Sequence, residues 1–226
     1  MIILTGVSGG IGSELVHYLK NFDKVLGIYN KTKPKTKIDN VEFFNCDITK
    51  KEQVKKFEKR IKFEKTITFL SLAGTKQDSL LINQSSKAID QTIDINLRSN
   101  IIMSKSIINQ MIFSKWGRII FFSSMGASRG DVGTSLYSAS KTALYGFSKV
   151  LSKEYGKYNI TSNVIDLGAF NSGMYKKLSN KSKNKILKDL PNSKLGEVKD
   201  IASTIRFLIN NSFVNGSIIK LDGGAD

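Results

Sequence analysis

The chain has 226 residues, of which 24% are charged and 40% are hydrophobic, and this composition suits one globular domain with its own core. Its formal net charge of +16 favours anionic partners such as phosphorylated cofactors or an acidic carrier protein, although a lysine-rich solvated surface explains the same charge. Nucleic-acid binding and a metal site are not expected, because zinc spacing, a recognition helix and aromatic–basic interleaving are all missing, and no apolar run reaches the roughly 18 residues of a membrane helix.

The start of the chain and its cysteine content predict the compartment. The first residues, MIILTGVSGG, run straight into a strand and a glycine turn without a basic segment before them, which argues against a signal peptide. The single cysteine, Cys46, excludes an internal disulfide and fits a reducing compartment. We therefore expect a cytoplasmic protein. Two prolines and no Gly/Ser tract leave no obvious linker, so we expect residues 1–226 to form one domain.

Strand-like and helix-like segments alternate along the chain. Short apolar runs predict strands, and apolar residues spaced three or four apart predict helices. In chain order, the predicted elements are strand Met1–Leu4, helix Ile11–Lys20, strands Val25–Tyr29 and Val41–Asn45, helix Lys51–Ile61, strand Thr66–Leu72, helix Lys87–Phe113, strand Arg118–Phe122, helix Ser135–Tyr155, strand Ile160–Leu167, helix Lys199–Ile209 and strand Gly216–Leu221. About seven strands separated mostly by helices require right-handed crossovers. This order predicts an α/β fold of the Rossmann type, a doubly wound parallel β-sheet flanked by helices.

A glycine-rich turn, TGVSGGIG at residues 5–12, joins the first predicted strand to the first predicted helix. Gly6 permits a tight turn, Gly10 lets the backbone approach a pyrophosphate, and Gly12 lets helix and strand pack closely. The N–H groups at the start of the helix, together with its dipole, then bind the anion. A glycine-rich turn alone is weak evidence, but its position between strand and helix predicts a dinucleotide site.

Tyr137 and Lys141 lie four residues apart in a predicted helix, so both project from one face. A free phenol has a pKa of about 10 and exchanges its proton poorly at neutral pH. A lysine ammonium and a cationic nicotinamide nearby would lower the pKa of Tyr137 and prepare it for proton transfer. If the motif stood alone, an ordinary Tyr/Lys pair on a helix surface would be the better interpretation.

These motifs, in this order, resemble those of the short-chain dehydrogenase/reductase family along nearly the whole chain. The resemblance implies hydride transfer between NAD(P)(H) and a carbonyl or alcohol carbon. It also implies a catalytic tetrad in which Asn96 supports a proton-relay water, Ser124 bonds the substrate oxygen, and Tyr137 gives or takes its proton. Lys141 would bind the nicotinamide ribose and tune Tyr137. Ser124 lies 13 residues before Tyr137, the family's usual interval, so its neighbour Ser123 is the weaker candidate.

The resemblance also implies contacts with the cofactor. Asp47 matches the family aspartate that contacts the adenine ring, and the alternative is a helix N-cap. Residues 71–74 (SLAG) stand in place of the family's N-N-A-G and lack both asparagines, whose hydrogen bonds must be made otherwise. Residues 167–172 (LGAFNS) resemble P-G-x-x-x-T, and Ser172 keeps the hydroxyl that touches the nicotinamide carboxamide or a phosphate. The predicted cofactor-binding residues are Thr5, Gly6, Ser8, Gly10, Ile11, Gly12, Asn30, Lys31, Cys46, Asp47, Ile48, Ala73, Gly74, Asn96, Tyr137, Lys141, Gly168, Ala169, Phe170 and Ser172.

The choice between NADP and NAD depends on the residues after the second strand. An acidic side chain there would accept the ribose 2′-hydroxyl of NAD and repel a 2′-phosphate. The strand ends instead in Tyr29-Asn30-Lys31, with Lys33 close by, and these lysines favour a phosphate. NADP is therefore the predicted cofactor. NAD stays open, because Gly9 stands where NADP-preferring members of the family often carry a basic residue.

The sequence leaves three hypotheses for function. The segment at residues 173–194, in the region that sets specificity in the family, is short and lysine-rich, which favours a phosphorylated or carrier-bound substrate over a steroid. The first hypothesis is a reductase that resembles those acting on 3-oxoacyl groups bound to acyl carrier protein. The second is a reductase or dehydrogenase of a sugar or another small metabolite, and the third is a regulatory protein that binds the cofactor without turnover. The resemblance also implies a homo-oligomer, most often a tetramer, with a dimer as the alternative.

Overall fold

Seven parallel strands form a single sheet in the computed structural model, which describes residues 1–173 and 175–225. The strands are β1 (Ile2–Thr5), β2 (Val25–Tyr29), β3 (Val41–Asn45), β4 (Thr68–Ser71), β5 (Gly117–Ser124), β6 (Ile160–Leu167) and β7 (Ile218–Leu221). They lie in the order β3-β2-β1-β4-β5-β6-β7, so the direction of winding reverses between β1 and β4. This arrangement confirms the predicted Rossmann-type sheet. In such sheets ligands bind at the carboxyl ends of the strands beside the reversal.

Helices cover both faces of the sheet. They are α1 (Gly10–Leu19), α2 (Lys51–Ile61), α3 (Ser86–Ile93), α4 (Ser99–Ser114), α5 (Met125–Arg129), α6 (Ser135–Tyr155), α7 (Asn180–Asp189) and α8 (Val198–Asn210). Apolar side chains of α2, α4 and α6 share one core with alternate residues of the strands, and those of α1 and α8 share a second core on the opposite face. Since both faces are covered, β6 is buried throughout and β5 is buried except at its last residue, Ser124.

The structure differs from the prediction in three helical segments. The predicted helix Lys87–Phe113 consists of α3, a π-helical turn at Asp94–Arg98 and α4. The short helix α5 and the helix α7 were not predicted. No residue of α7 is buried in the part of the chain that the structure describes, so its sequence has no apolar stripe that would reveal a helix. Among residues 1–173 and 175–225, no helix is both long and apolar enough to cross a membrane.

Candidate active site

The glycine turn is built by close approaches of the backbone. Gly6 has a φ of +75°, and a Cβ on it would lie 2.9 Å from the backbone of Ala73, in the segment after β4. A Cβ on Gly12 would overlap the carbonyl oxygen of Gly6, so the start of α1 can pack against the end of β1 only with glycine at this position. A Cβ on Gly10 would overlap the backbone of Gly173. The loop after β6 therefore approaches Gly10 closely, and the contact of Gly10 with a pyrophosphate stays a prediction.

A cleft of about 340 Å³ opens beside this turn, at the carboxyl ends of β1, β2, β3 and β4. It contains seven of the predicted cofactor residues, namely Gly6, Ser8, Asn30, Lys31, Cys46, Ile48 and Ala73. It also contains Gly9, Ile28, Tyr29 and Thr32, which are not among the predicted cofactor contacts. The hydroxyl of Ser8 donates to the carbonyl of Thr32 at 2.5 Å, and this bond ties the glycine turn to the loop after β2.

Asp47 lies in the segment after β3, next to two residues of this cleft. Its Oδ1 accepts hydrogen bonds from the backbone N–H and the hydroxyl of Thr49, at 3.0 and 2.7 Å. Burial raises the pKa of Asp47, but hydrogen bonds from Thr49 and Asn30 outweigh burial and bring the pKa below its ordinary value. The alternative interpretation as a helix N-cap is wrong, because the N-cap position of α2 is occupied by Lys50. Asp47 is therefore an ionised side chain beside the cleft.

Asn96 is fully buried in the π-helical turn between α3 and α4. Its side chain bonds both backbone groups of Thr75: Oδ1 accepts from the N–H and Nδ2 donates to the carbonyl, each at 2.8 Å. Nδ2 also donates to the hydroxyl of Ser140 on α6, at 3.0 Å. Asn96 thus joins the loop after β4 to the helix that carries Tyr137 and Lys141. π-Helical turns within α-helices, such as the one that holds Asn96, are frequent at functional sites.

Tyr137 and Ser124 meet at the end of β5. Ser124 caps α5, where its hydroxyl accepts from the N–H of Gly126 at 3.3 Å, and its proximity to the phenol of Tyr137 lowers the pKa of that phenol in part. The neighbouring Ser123 is buried against α6, where its hydroxyl lies 3.4 Å from the carbonyl oxygen of Lys141 and 3.3 Å from the phenol oxygen of Tyr145. Ser123 is thus engaged with α6, and the choice of Ser124 as the catalytic serine stays a prediction from its interval to Tyr137.

Lys141 is 5% exposed, and its Nζ donates to the carbonyl oxygen of Phe122 at 2.8 Å. Burial lowers the pKa of Lys141 to about 8. Burial raises the pKa of Tyr137, the hydroxyl of Ser124 lowers it in part, and the carboxylates of Asp166 and Asp78 raise it further. The predicted lowering of the Tyr137 pKa is therefore wrong for the protein by itself, because removal of the phenol from water has the larger effect.

Other groups replace the asparagines that residues 71–74 lack. The hydroxyl of Ser71 bonds Oδ1 of Asn100 on α4, and Nδ2 of Asn100 donates to the carbonyl of Asn96 at 2.7 Å. The hydroxyl oxygen of Thr5 accepts from the N–H of Ala73 at 3.2 Å. The end of β4 is therefore tied to α4 and to β1 through side chains of different types.

The loop after β6 is held by backbone bonds although it lacks the proline of the family motif. The N–H of Gly168 donates to Leu221 on β7 at 2.9 Å, and Gly196 exchanges bonds with Ala169 and Asn171 at 3.0 Å each. The side chain of Phe170 is buried in the core shared with α1 and α8. Ser172 is 4% exposed and immediately precedes the glycine that approaches Gly10. The predicted residues 168–172 thus lie at the same edge of the sheet as the glycine turn.

Two polar pairs near Tyr137 were not predicted. The first pair is Asp166 and Tyr145. Asp166 is buried on β6, and its Oδ2 accepts a hydrogen bond from the phenol of Tyr145 at 2.9 Å. The other is the ion pair of Lys76 and Asp78, joined at 3.1 Å. Neither pair belongs to a motif or a periodic pattern in the sequence, so only the folded arrangement reveals them.

The fold and the chemistry of this site define a dinucleotide-dependent enzyme, and comparison with known proteins gives its family. A family model for short chain dehydrogenases matches residues 1–183. The chain therefore belongs to the short-chain dehydrogenase/reductase family, and it is an oxidoreductase that acts on CH–OH or C=O groups with a nicotinamide cofactor.

Three curated relatives span almost the whole chain. It is 34% identical to the 3-oxoacyl-(acyl-carrier-protein) reductase FabG of Buchnera aphidicola subsp. Baizongia pistaciae (strain Bp), with 98% of this chain and 95% of the relative covered. It is 31% identical to the protein of the same name from Rickettsia bellii (strain RML369-C), with the same coverage. It is 28% identical to Nodulation protein G of Rhizobium sp. (strain N33), again over 98% of this chain and 95% of the relative.

Proposed function

We propose that this protein is an NADPH-dependent reductase of 3-oxoacyl groups carried on acyl carrier protein. The observation that carries the proposal is that the buried phenol of Tyr137 and the buried amine of Lys141 both lie against the end of β5, where Ser124 stands. All three lie at the carboxyl edge of the sheet, the edge that also holds the glycine turn. The choice of substrate is supported by the two relatives named as 3-oxoacyl-(acyl-carrier-protein) reductases.

The roles of the side chains follow from their chemistry. In the direction of reduction, the phenol of Tyr137 donates its proton to the substrate oxygen, and the hydroxyl of Ser124 holds that oxygen by a hydrogen bond. Lys141 provides a cation behind Tyr137, and Asn96 fixes the loop after β4 through Thr75. Because burial raises the pKa of Tyr137, the phenol is protonated at neutral pH, as a proton donor must be.

The residues around the cleft fit a dinucleotide. Gly6, Ser8 and Gly9 expose backbone at the start of α1, and the predicted contacts Thr5, Ile11 and Gly12 belong to the same turn. We expect Asp47 with Cys46 and Ile48 to lie at the adenine end, and Gly168 to Ser172 at the nicotinamide end. When bound, the nicotinamide supplies the hydride.

NADP is our choice of cofactor because of the charge at the cleft. Lys31 is the one charged residue among those that line the cleft in the described part of the chain. Its ammonium favours a 2′-phosphate, and no carboxylate among these lining residues repels one.

The lysines of the segment after β6 support an anionic carrier as the partner. Lys181, Lys185 and Lys188 on α7 are exposed, and Lys183 is half-buried. A cationic helix here would steer an acidic carrier protein towards the site. A reductase of a sugar or another small metabolite is the second candidate, because α7 has no buried residue within the described chain and offers little apolar wall for a long acyl chain.

The test is a steady-state assay with NADPH and an acetoacetyl thioester, alongside a set of small carbonyl compounds. We expect NADPH oxidation with the thioester and its loss in Tyr137→Phe, whereas Tyr18→Phe, a change on the exposed face of α1, keeps wild-type rates. If the protein reduces only small carbonyl compounds, the proposed acyl substrate is wrong, but the proposed reaction is still correct. Unchanged activity in Tyr137→Phe would refute the mechanism, and no turnover of any compound would favour the third hypothesis, a regulatory protein.

We also propose a cytoplasmic homo-oligomer, a tetramer or a dimer. Cys46 is buried and burial raises its pKa to about 11, which suits a reducing compartment and an inert thiol. Ile101 and Phe113 on α4 and Val150 on α6 expose 42%, 85% and 53% of their surface, as residues of a subunit interface would in the isolated chain. Light scattering on the purified protein gives the number of subunits, and a monomer would exclude this part of the proposal.

A further inference from the structure

An ion pair in the loop between β4 and α3 lies against the ring of Tyr137. Nζ of Lys76 is 5.7 Å from the centroid of that ring and 3.1 Å from Oδ2 of Asp78. The side chain of Lys76 is 29% exposed, so much of it is shielded from water although it lies in an exposed loop. At this distance an ammonium interacts favourably with the electrons of an aromatic ring, and more strongly with a phenolate.

Buried residues of the candidate site hold this loop in place. Thr75, the residue before Lys76, has both its backbone N–H and its carbonyl bonded to the side chain of Asn96. Before it, Gly74 lies so close to the site that a Cβ there would be 3.3 Å from Nζ of Lys141. The backbone from which Lys76 projects is therefore fixed by Asn96, and the position of its ammonium is not that of a free surface lysine.

We propose that Lys76 and Asp78 are positioning residues for Tyr137: Lys76 holds the ring and favours the ionised phenol, and Asp78 holds Lys76 and opposes that ionisation. The inference rests on the proposed role of Tyr137 as proton donor. It adds a second cation to the site, one that reaches Tyr137 from the loop after β4, whereas Lys141 lies on the same helix as Tyr137.

The groups that face Tyr137 come from four elements. Lys141 lies on α6, Ser124 ends β5, Asp166 lies on β6, and Lys76 and Asp78 come from the loop after β4. The two carboxylates disfavour the phenolate, while the ammonium groups and the hydroxyl of Ser124 favour it. Removing one member of the ion pair therefore changes the acidity of Tyr137 in a direction set by the sign of the charge removed.

The test compares Lys76→Met with Asp78→Asn in the pH dependence of kcat/KM for carbonyl reduction. Reduction requires protonated Tyr137, so the rate falls as the pH rises through its pKa. In Lys76→Met we expect this fall to move to higher pH by about half a unit, and in Asp78→Asn to lower pH by a similar amount. Lys76→Arg keeps the cation and should restore the wild-type profile.

A matched control and a second readout separate tuning from a structural effect. Lys157→Met removes a lysine 5.1 Å from the ring of Tyr158, at the far end of α6, and should leave the profile unchanged. The ultraviolet absorbance of tyrosinate, taken as the difference from Tyr137→Phe, follows the ionisation of Tyr137 directly and should shift in the same directions. Thermal unfolding verifies that each variant is folded.

Three results would overturn the inference. The first is a shift of the pH profile in the same direction in Lys76→Met and Asp78→Asn, and the second is no shift in either variant. The third is a change in KM alone at an unchanged pH profile, because such a change would make Lys76 a substrate contact. If Tyr137→Phe is inactive and the profiles do not move, only the role of the ion pair is wrong. If Tyr137→Phe keeps full activity, the proposed function itself fails.

Discussion

The buried amine of Lys141 makes a strong prediction about stability. Its pKa is about 8 in the folded protein, against 10.5 as the ordinary value, so the folded state binds fewer protons than the unfolded state between these values. The free energy of unfolding therefore rises with pH through this range, and below about pH 8 the protein carries the full cost of a buried ammonium. Replacing Lys141 with methionine removes that cost.

The magnitude follows from the difference in pKa. A gap of about 2.5 pH units, at about 1.36 kcal/mol per unit, corresponds to roughly 3 kcal/mol at pH 7. Loss of the bond from Nζ to the carbonyl of Phe122 offsets about 1 kcal/mol of this gain. We expect Lys141→Met to raise the free energy of unfolding by roughly 2 kcal/mol at pH 7 and to lose oxidoreductase activity.

Urea denaturation at about pH 7 and about pH 9.5 measures the effect. Most of the advantage of Lys141→Met should disappear at the higher pH, where the wild-type amine is neutral in the folded state. Lys153→Met, an exposed change on the same helix, should stay within about 0.5 kcal/mol of wild type at both pH values. An advantage that is independent of pH, or a variant less stable than wild type at pH 7, would show that the amine is not desolvated.

Two further predictions concern the glycine turn and the cleft. Lys31→Glu should raise the KM for NADPH about tenfold and favour NADH, because a carboxylate repels the 2′-phosphate. The control Lys65→Glu lies outside the cleft and should leave both KM values unchanged. An unchanged ratio of the KM for NADPH to the KM for NADH in Lys31→Glu would exclude Lys31 as the phosphate contact. Gly12→Ala should destabilise the protein by about 1–3 kcal/mol in thermal unfolding, because its Cβ overlaps Gly6. The control Gly146→Ala meets nothing within 4 Å in the described structure and should not destabilise it. Equal melting temperatures of Gly12→Ala and the wild type would contradict the packing of this turn.

Much of the sheet could be predicted because its strands are short apolar runs and its helices carry periodic apolar residues. β2, β3 and β6 have the predicted bounds, and β5 extends the predicted strand at both ends, to Gly117 and Ser124. The segment around Asn96 was predicted as continuous helix, since its local pattern is helical. The π-helical turn there accompanies bonds from Asn96 to Thr75, 21 residues earlier in the chain, and local periodicity carries no signal of such a contact.

The environment of the candidate tetrad depended on long-range contacts in the same way. Spacing within a helix placed Tyr137 and Lys141 on one face, and the family interval favoured Ser124. For the protein by itself the predicted direction of the Tyr137 pKa is wrong, because burial is a property of the folded chain, set by the elements that pack around α6. Lys76 and Asp78 had no motif to mark them, since their relation to Tyr137 exists only when the loop after β4 folds against α6.

By itself, the amino-acid order determined the alternation of strands and helices, the glycines that permit the first turn, and the family to which the chain belongs. These features depend on local periodicity and on residue type, both of which can be read along the chain. Only the tertiary structure decided which groups surround Tyr137, how far burial changes its acidity and that of Lys141, and which loop lies against Gly10. Those properties depend on the removal of water and on contacts between residues far apart in sequence, which no local pattern records.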